Sequence, residues 1–420
     1  MRGYDYNVIL TAFYITYITC EIPSLVVCKR MGPGWFLPVA SVLFGICSVA
    51  TAFVRTVLQA CFVRALLGIF EAGMLPGIAY YLSRWYTRAE LTFRLSLYIV
   101  TAPLAGAFGG MLASGILTLD SFGGLASWRM IFAVEGIITI GISLAAMVLL
   151  TDRPETARWL SASEKALAVA RVKSERETCS AVLDKMNTKK YLKGIMNPVT
   201  MSVAFVFLFD AVTVQALAFF LPTVVKNIFP DASTVRQQLY TVPPYLVGSF
   251  FAVLLPFLSW RLDHRQGFFL FPAVMVMTAY SMFVASQDRQ VRYAATFLAS
   301  TAFSLGPMTN AQVSANVVSD TARNAALAAN GMFAAVGGLV GVWSFLPWDA
   351  PNYLIGNGLN LGTSSSTLVL SLATLVWMRW DNKRRERAEA EPGTKERLQH
   401  LTSEETEDLD WRHPAFRWKL

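Results

Sequence analysis

The sequence predicts an all-α polytopic membrane protein of eleven transmembrane helices, and three observations carry that prediction. Eleven apolar stretches are each long enough to cross a bilayer, cationic side chains are sorted between the connecting loops, and one charged segment divides the stretches five and six. Of the 420 residues 54% are hydrophobic and 15% charged, with a mean hydropathy of +0.45, too apolar for a soluble chain of this length.

A spanning helix needs roughly 20 mostly apolar residues. The stretches that satisfy this lie at 7–27, 36–54, 56–82, 93–117, 130–150, 199–222, 241–258, 267–286, 293–312, 325–346 and 355–378. The first holds Glu21 and runs into Lys29-Arg30 without a small-residue cleavage site, so it reads as a mature span and not as a signal peptide. Residues 1–150 then form an amino-terminal bundle and 196–380 a carboxy-terminal bundle. The segment 151–195 between them carries ten basic and six acidic side chains, with a helical pattern around 163–176 that Ser163 can cap. It reads as a linker lying along the membrane surface. The tail, 381–420, is densely charged, and its run of Glu404, Glu405, Glu407, Asp408 and Asp410 favours disorder.

Loop charge sets the orientation. If the linker is cytoplasmic, eighteen Lys and Arg lie in loops on its side and ten more follow in the tail from Arg379, against seven on the opposite side. That is the positive-inside bias, and it places the carboxyl terminus in the cytoplasm. The net charge of +8 therefore needs no nucleic-acid partner. The five cysteines sit in spans, at a span end or in the linker, with neither disulfide nor zinc spacing, and His264, His400 and His413 lie in polar segments. No Walker-type phosphate loop is present, which argues against ATP-driven pumping and for a carrier driven by an ion gradient. No metal cluster or catalytic triad lies at membrane depth, so the chain does not read as an enzyme, and no cofactor is implied.

Local sequences narrow the reading. Residues 64–77, RALLGIFEAGMLPG, are accompanied by Glu21-Ile22-Pro23-Ser24, by Ser83-Arg84-Trp85-Tyr86 with Arg88 and Glu90, and by the glycine-rich 103–110. Trp128-Arg129 with Phe132 and Glu135-Gly136, then Arg153-Pro154-Glu155-Thr156-Ala157, and finally His413-Pro414 with Phe416-Arg417 complete the series. In this order the motifs resemble the major facilitator superfamily, in its anion:cation symporter branch and the fungal allantoate permease-like group. The resemblance implies a major facilitator fold of two helical bundles with inverted repeats, and import of a small organic anion such as allantoate, nicotinate or pantothenate. It also implies that the first stretch here is the family's second helix, so that the first of twelve is missing. The partners implied are the organic anion, protons and the lipid bilayer, and the membrane implied is a fungal plasma membrane; an oligomer is not implied.

Charges within spans are costly and so mark pathways. Arg64 and Glu71 are seven apart, about two turns, and share a helix face. A guanidinium can hold a carboxylate through two parallel hydrogen bonds, and a carboxyl shielded from water can carry a proton. They are the foremost substrate and proton candidates, the competing reading being that each pins its helix to neighbours. Asp210, mid-span and outside the family pattern, is a further candidate for a proton, cation or polar group, and Asn310 and Asn316 offer amides to a ligand or to a neighbouring helix. Asp263 and Arg265 flank a turn and form a candidate latch between helix ends; Glu21 is expected to cap or to pair with Arg84 or Arg88, and Glu135 to make a structural ion pair. Two alternatives to transport stand beside this reading: a non-transporting nutrient sensor of the same fold, and a truncated inactive product.

Overall fold

Apolar runs interrupted by proline, serine and threonine build helices that bend or break. The computed structural model describes residues 3–86, 88–118, 126–179, 188–317, 320–389, 410–412 and 416–420, and it is helical with no strand among them. The acidic run Glu404–Asp408, His400 and His413-Pro414 lie outside the described residues, as do the side chains of Arg88 and Glu90.

The amino-terminal group comprises α1 (Asp5–Met31), α2 (Pro33–Thr51), α3 (Val57–Glu71), α4 (Met74–Trp85), α5 (Arg88–Leu117) and α6 (Ser127–Leu149). The linker contributes α7 (Ala162–Cys179) and α8 (Thr188–Ile195). The carboxy-terminal group follows with α9 (Pro198–Ile228), α10 (Thr234–Arg261), α11 (Arg265–Phe268), α12 (Leu270–Ala285), α13 (Arg289–Ala299), α14 (Leu305–Ala315), α15 (Asp320–Val342) and α16 (Leu354–Glu389). Starts are written in capping chemistry: Thr56 and Gln59 close a capping box on α3, Asn197 caps α9 ahead of Pro198, and Asp288 caps α13. The cap of α7 is Ser161, not Ser163, because Ser161 exchanges hydrogen bonds with Glu164 and holds that carboxyl below its ordinary range.

The span count departs from eleven. Among the described residues nine helical segments are long and apolar enough to cross a bilayer, and α1, bent by 55° between Glu21 and Pro23, makes a tenth. The stretch at 293–312 is instead α13, a 3₁₀ turn over Ser300–Ser304, and α14. There the hydroxyls of Ser300, Thr301 and Ser304 donate to the carbonyls of Thr296, Leu298 and Thr301, competing with regular helix bonding. Proline explains the bend in α1, because Pro23 has no N–H to give and its ring crowds the preceding turn.

Apolar side chains point outward as well as inward: Ile142, Val148, Leu149, Phe250 and Val369 are all at least 60% exposed. Such a belt is stable against hydrocarbon and not against water. Each group packs mainly on itself, and α5 against α10 and α1 against α15 are the principal bridges. Both bridges tighten at the end where α1 begins, here termed the far end. A Cβ on Gly110 would stand 2.9 Å from Thr241 Oγ1, so only glycine lets α5 approach α10 this closely. Asn7 Nδ2 donates to Val342 O at 2.7 Å and Trp343 Nε1 to Thr11 Oγ1 at 2.9 Å, joining α1 to the end of α15.

Candidate functional site

The site is built outward from Gly68. A Cβ there would collide with Thr16 Oγ1 and Phe13 O, so the missing side chain allows α3 to lie directly on α1, where Thr16 Oγ1 donates to Ala65 O at 2.9 Å. Arg64 and Glu71 stand one turn to either side of Gly68, on the face that meets α1. Arg64 lies within electrostatic reach of Tyr6 and Glu71, and Glu71 within that of Tyr14, Tyr17 and Tyr98. Both charged side chains are partly buried and keep some accessible surface. Neither makes a hydrogen bond or ion pair with a described residue.

The far wall belongs to the carboxy-terminal group. Tyr14 packs edge-on against Phe219 of α9 and lies against Gly338 of α15, and Tyr6 Oη reaches Phe219 O at 3.5 Å. Glu21 lies across from α15, its Oε1 4.0 Å from a Cβ placed on Gly331, while the guanidinium of Arg84 goes elsewhere. Asn310 Oδ1 accepts from Asn330 Nδ2 at 2.8 Å, joining α14 to α15 one residue before Gly331. Asn330 is fully buried and its own Oδ1 has no partner. Arg64 and Glu71 of α3 and the tyrosines of α1 thus lie in the amino-terminal group, with Phe219, Gly338 and Gly331 of the carboxy-terminal group against α1.

Other sequence candidates fall in different places. Asp210 is buried within the carboxy-terminal group, with Oδ2 unpartnered, and its neighbour one turn on, Thr213, donates to Asn360 of α16. Asn316 sits at the end of α14, bonded to the backbone of Lys419 and, through its carbonyl, to Asn197. Asp263, in the left-handed region at φ 50°, reaches Arg265 at 3.8 Å within a single turn, so the pair links no two distant helices. Glu135 has no ion-pair partner among the described residues, because Arg129 turns to Val54 O and to the ring of Trp128.

Two groups of residues were not singled out in the sequence. Asp152, at the start of the linker, accepts from Arg84 Nη1 at 3.1 Å and from Gly34 N at 3.2 Å, and it is this acid, not Glu21, that Arg84 finds. It also packs on the turn after α1, where Gly32 at φ 88° comes so close that a Cβ would stand 2.7 Å from Asp152 Oδ1. The spacing of Tyr6, Tyr14 and Tyr17 along one face of α1 is the signal that marks the tyrosine lining.

Residues 3–342 match the Major Facilitator Superfamily. An uncharacterized transporter of Schizosaccharomyces pombe is 30% identical over 425 aligned residues, taking in 100% of this chain and 82% of that protein. The MFS transporter prlL of a fungal species (strain NRRL 50135) is 31% identical over 371 residues, 86% of this chain and 73% of its own. Among solved structures, an inward-facing bacterial homolog of the human lysosomal transporter Spinster superposes with a TM-score of 0.65 at 14% identity, over 89% of this chain and 88% of that one. A D-xylose-proton symporter does so with a TM-score of 0.62 at 18% identity, over 86% of each chain. At such identities the likeness is one of fold. The chain belongs to the Major Facilitator Superfamily and is a multi-pass membrane transporter, not an enzyme.

Proposed function

We propose that this transporter imports a small organic anion together with a proton, by alternating access of the space between its two helical groups. The observation that supports this most is the placement of Arg64 and Glu71 on one face of α3, partly exposed and unpaired with described residues. A guanidinium fits a carboxylate bidentately, and the tyrosines along α1 add hydroxyl donors and flat apolar faces. A carboxyl about 10 Å further along the helix is close enough to be felt by the anion and far enough not to neutralise Arg64 outright. With anion and proton both bound the site is neutral, which lowers the cost of closing hydrocarbon-facing helices around it. The two groups are the units that rock, and Gly106 and Gly110 on α5 form part of their shared bearing. In this reading the linker and tail face the cytoplasm, as the loop cations imply, and the membrane is the plasma membrane.

The test is uptake of radiolabelled allantoate, nicotinate, pantothenate and tartrate in yeast lacking its own carriers, with and without a proton gradient. One acid should accumulate in a proton-dependent manner. Glu71→Gln should abolish accumulation against a gradient while sparing exchange of internal for external anion; concentrative uptake by that variant equal to wild type would overturn the proton role. Accumulation of a neutral solute in place of every acid would overturn the anion.

A further inference from the structure

Five residues of the charged tail are held as a bound peptide would be. Asn382 of α16 reads the backbone of Trp418 at both edges, Oδ1 accepting from N at 2.8 Å and Nδ2 donating to O at 2.9 Å. Asn316 does the same for Lys419, Oδ1 accepting from N at 2.8 Å and Nδ2 donating to O at 3.1 Å, with Gln312 Nε2 adding a second bond to that carbonyl at 2.9 Å. The backbone N–H of Arg265 in α11 donates to Leu420 O at 2.7 Å. The indole of Trp418 is only 2% exposed; its Nε1 donates to Asp381 Oδ2 at 2.7 Å and its rings meet Trp377, Trp411 and Phe416. Arg385 closes the pocket, bonded to Asp381 at 2.6 Å and lying 5.5 Å from the Trp418 ring. Paired amides on a backbone and a pocket for one aromatic side chain are the two halves of peptide recognition, the first giving affinity and the second specificity.

The position of this site gives it a consequence for transport. Asn316 O also accepts from Asn197 Nδ2 at the start of α9, so the peptide ties α9, α11, α14 and α16 together at the linker end. Helix α14 is cut off from α13 by the 3₁₀ turn at Ser300–Ser304, so its linker end is not held in line by a continuous helix. It is the helix that carries Asn310, less than one turn from Gln312, and its bond to Asn330, next to the Gly331 that faces Glu21 of the amino-terminal group. We propose that the linker end of the carboxy-terminal group is a peptide-binding site whose occupant is this chain's own segment 416–420, and that its occupancy holds α14 in place and so sets the turnover of transport.

The test uses the chain ended at residue 415, reconstituted in lipid nanodiscs and in proteoliposomes, with a fluorescent synthetic peptide of residues 411–420. The peptide should bind with a micromolar Kd by anisotropy, and either Trp418→Ala in the peptide or Asn382→Ala in the receptor should weaken it about tenfold or more. The shortened chain should exchange solute at least about fivefold more slowly than the full chain, with unchanged KM, and peptide added on the linker side should restore the rate. Where the shortened chain fails to fold, full-length Trp418→Ala serves as receptor, its disengaged tail leaving the site open to the same peptide. Absence of binding up to about 1 mM peptide would overturn the site, and binding without any change in exchange rate would overturn its coupling to transport. Binding is read without any transported solute, so it stands or falls independently of the anion and proton assignments.

Discussion

In the proposed function Arg64 recognises an anion by geometry as well as charge, and the two can be separated. Arg64→Lys keeps the cation and loses the planar fork, and is expected to raise the KM for the transported acid about tenfold with a smaller change in turnover, measured as initial uptake rate against concentration. Glu71 is legible in the sequence as an in-membrane carboxyl; that Tyr14, Tyr17 and Tyr98 from two other helices come within electrostatic reach of it is not, because those residues are 57, 54 and 27 positions away. Asp152 teaches the same lesson. Its neighbours in the chain, Arg153 and Pro154, carry the recognisable motif, yet it is Asp152 that bonds Arg84 and the Gly34 backbone. Both side chains of that ion pair are largely shielded, at 16% and 21% exposure, so Asp152→Asn should lower stability by about 1–2 kcal/mol, read as a fall in melting temperature in detergent.

At the scale of the element, helices whose apolar pattern is uninterrupted appear where the sequence places them. The departures occur where side chains offer the backbone a competing bond or remove one: Pro23 in α1, the hydroxyl cluster at Ser300–Ser304, and the α3–α4 break at Ala72-Gly73 just ahead of Pro76. Hydropathy counts apolar residues and is blind to these local bonds. The contact of α1 with α3 has its own test. Gly68→Val would drive a branched side chain into Thr16 and the Phe13 carbonyl, and is expected to cost about 1–3 kcal/mol and to abolish uptake, since α3 must move off α1 and carry Arg64 and Glu71 with it. Surface expression and thermal melting, measured together with uptake, show whether the loss follows the site or the fold.

For the whole molecule the decisive contacts are those that join the two groups at the far end. Gly106 faces the ring of Tyr245 and Gly110 faces Thr241, with only 2.9 Å to spare for a Cβ in each case. Gly110→Leu should wedge α5 from α10 and admit water from the far end. The expected outcome is faster labelling of a cysteine introduced at Asn7 by a membrane-impermeant maleimide, together with slower exchange. Labelling no faster than in the Gly110 parent carrying the same cysteine would show that the contact is no bearing.

The sequence by itself determined that the chain is a helical membrane protein with five and six apolar stretches, its resemblance to a transporter superfamily, and the pair Arg64 and Glu71 on one helix face. All of these rest on local composition and on spacing within a single helix, where a 3.6-residue period fixes which side chains are neighbours. Only the tertiary structure decided that α1 lines Arg64 and Glu71 with tyrosines, that Arg84 pairs with Asp152, and that Asn316 receives the tail and is bonded there to Lys419. Each of those contacts joins residues from tens to about a hundred positions apart, and it forms because packed helices shield these polar groups from water, so that they must find partners within the protein. The tail shows this most plainly. Its charge balance argues for disorder, but one indole and four backbone amide and carbonyl groups find partners at the linker end, and these hold residues 416–420.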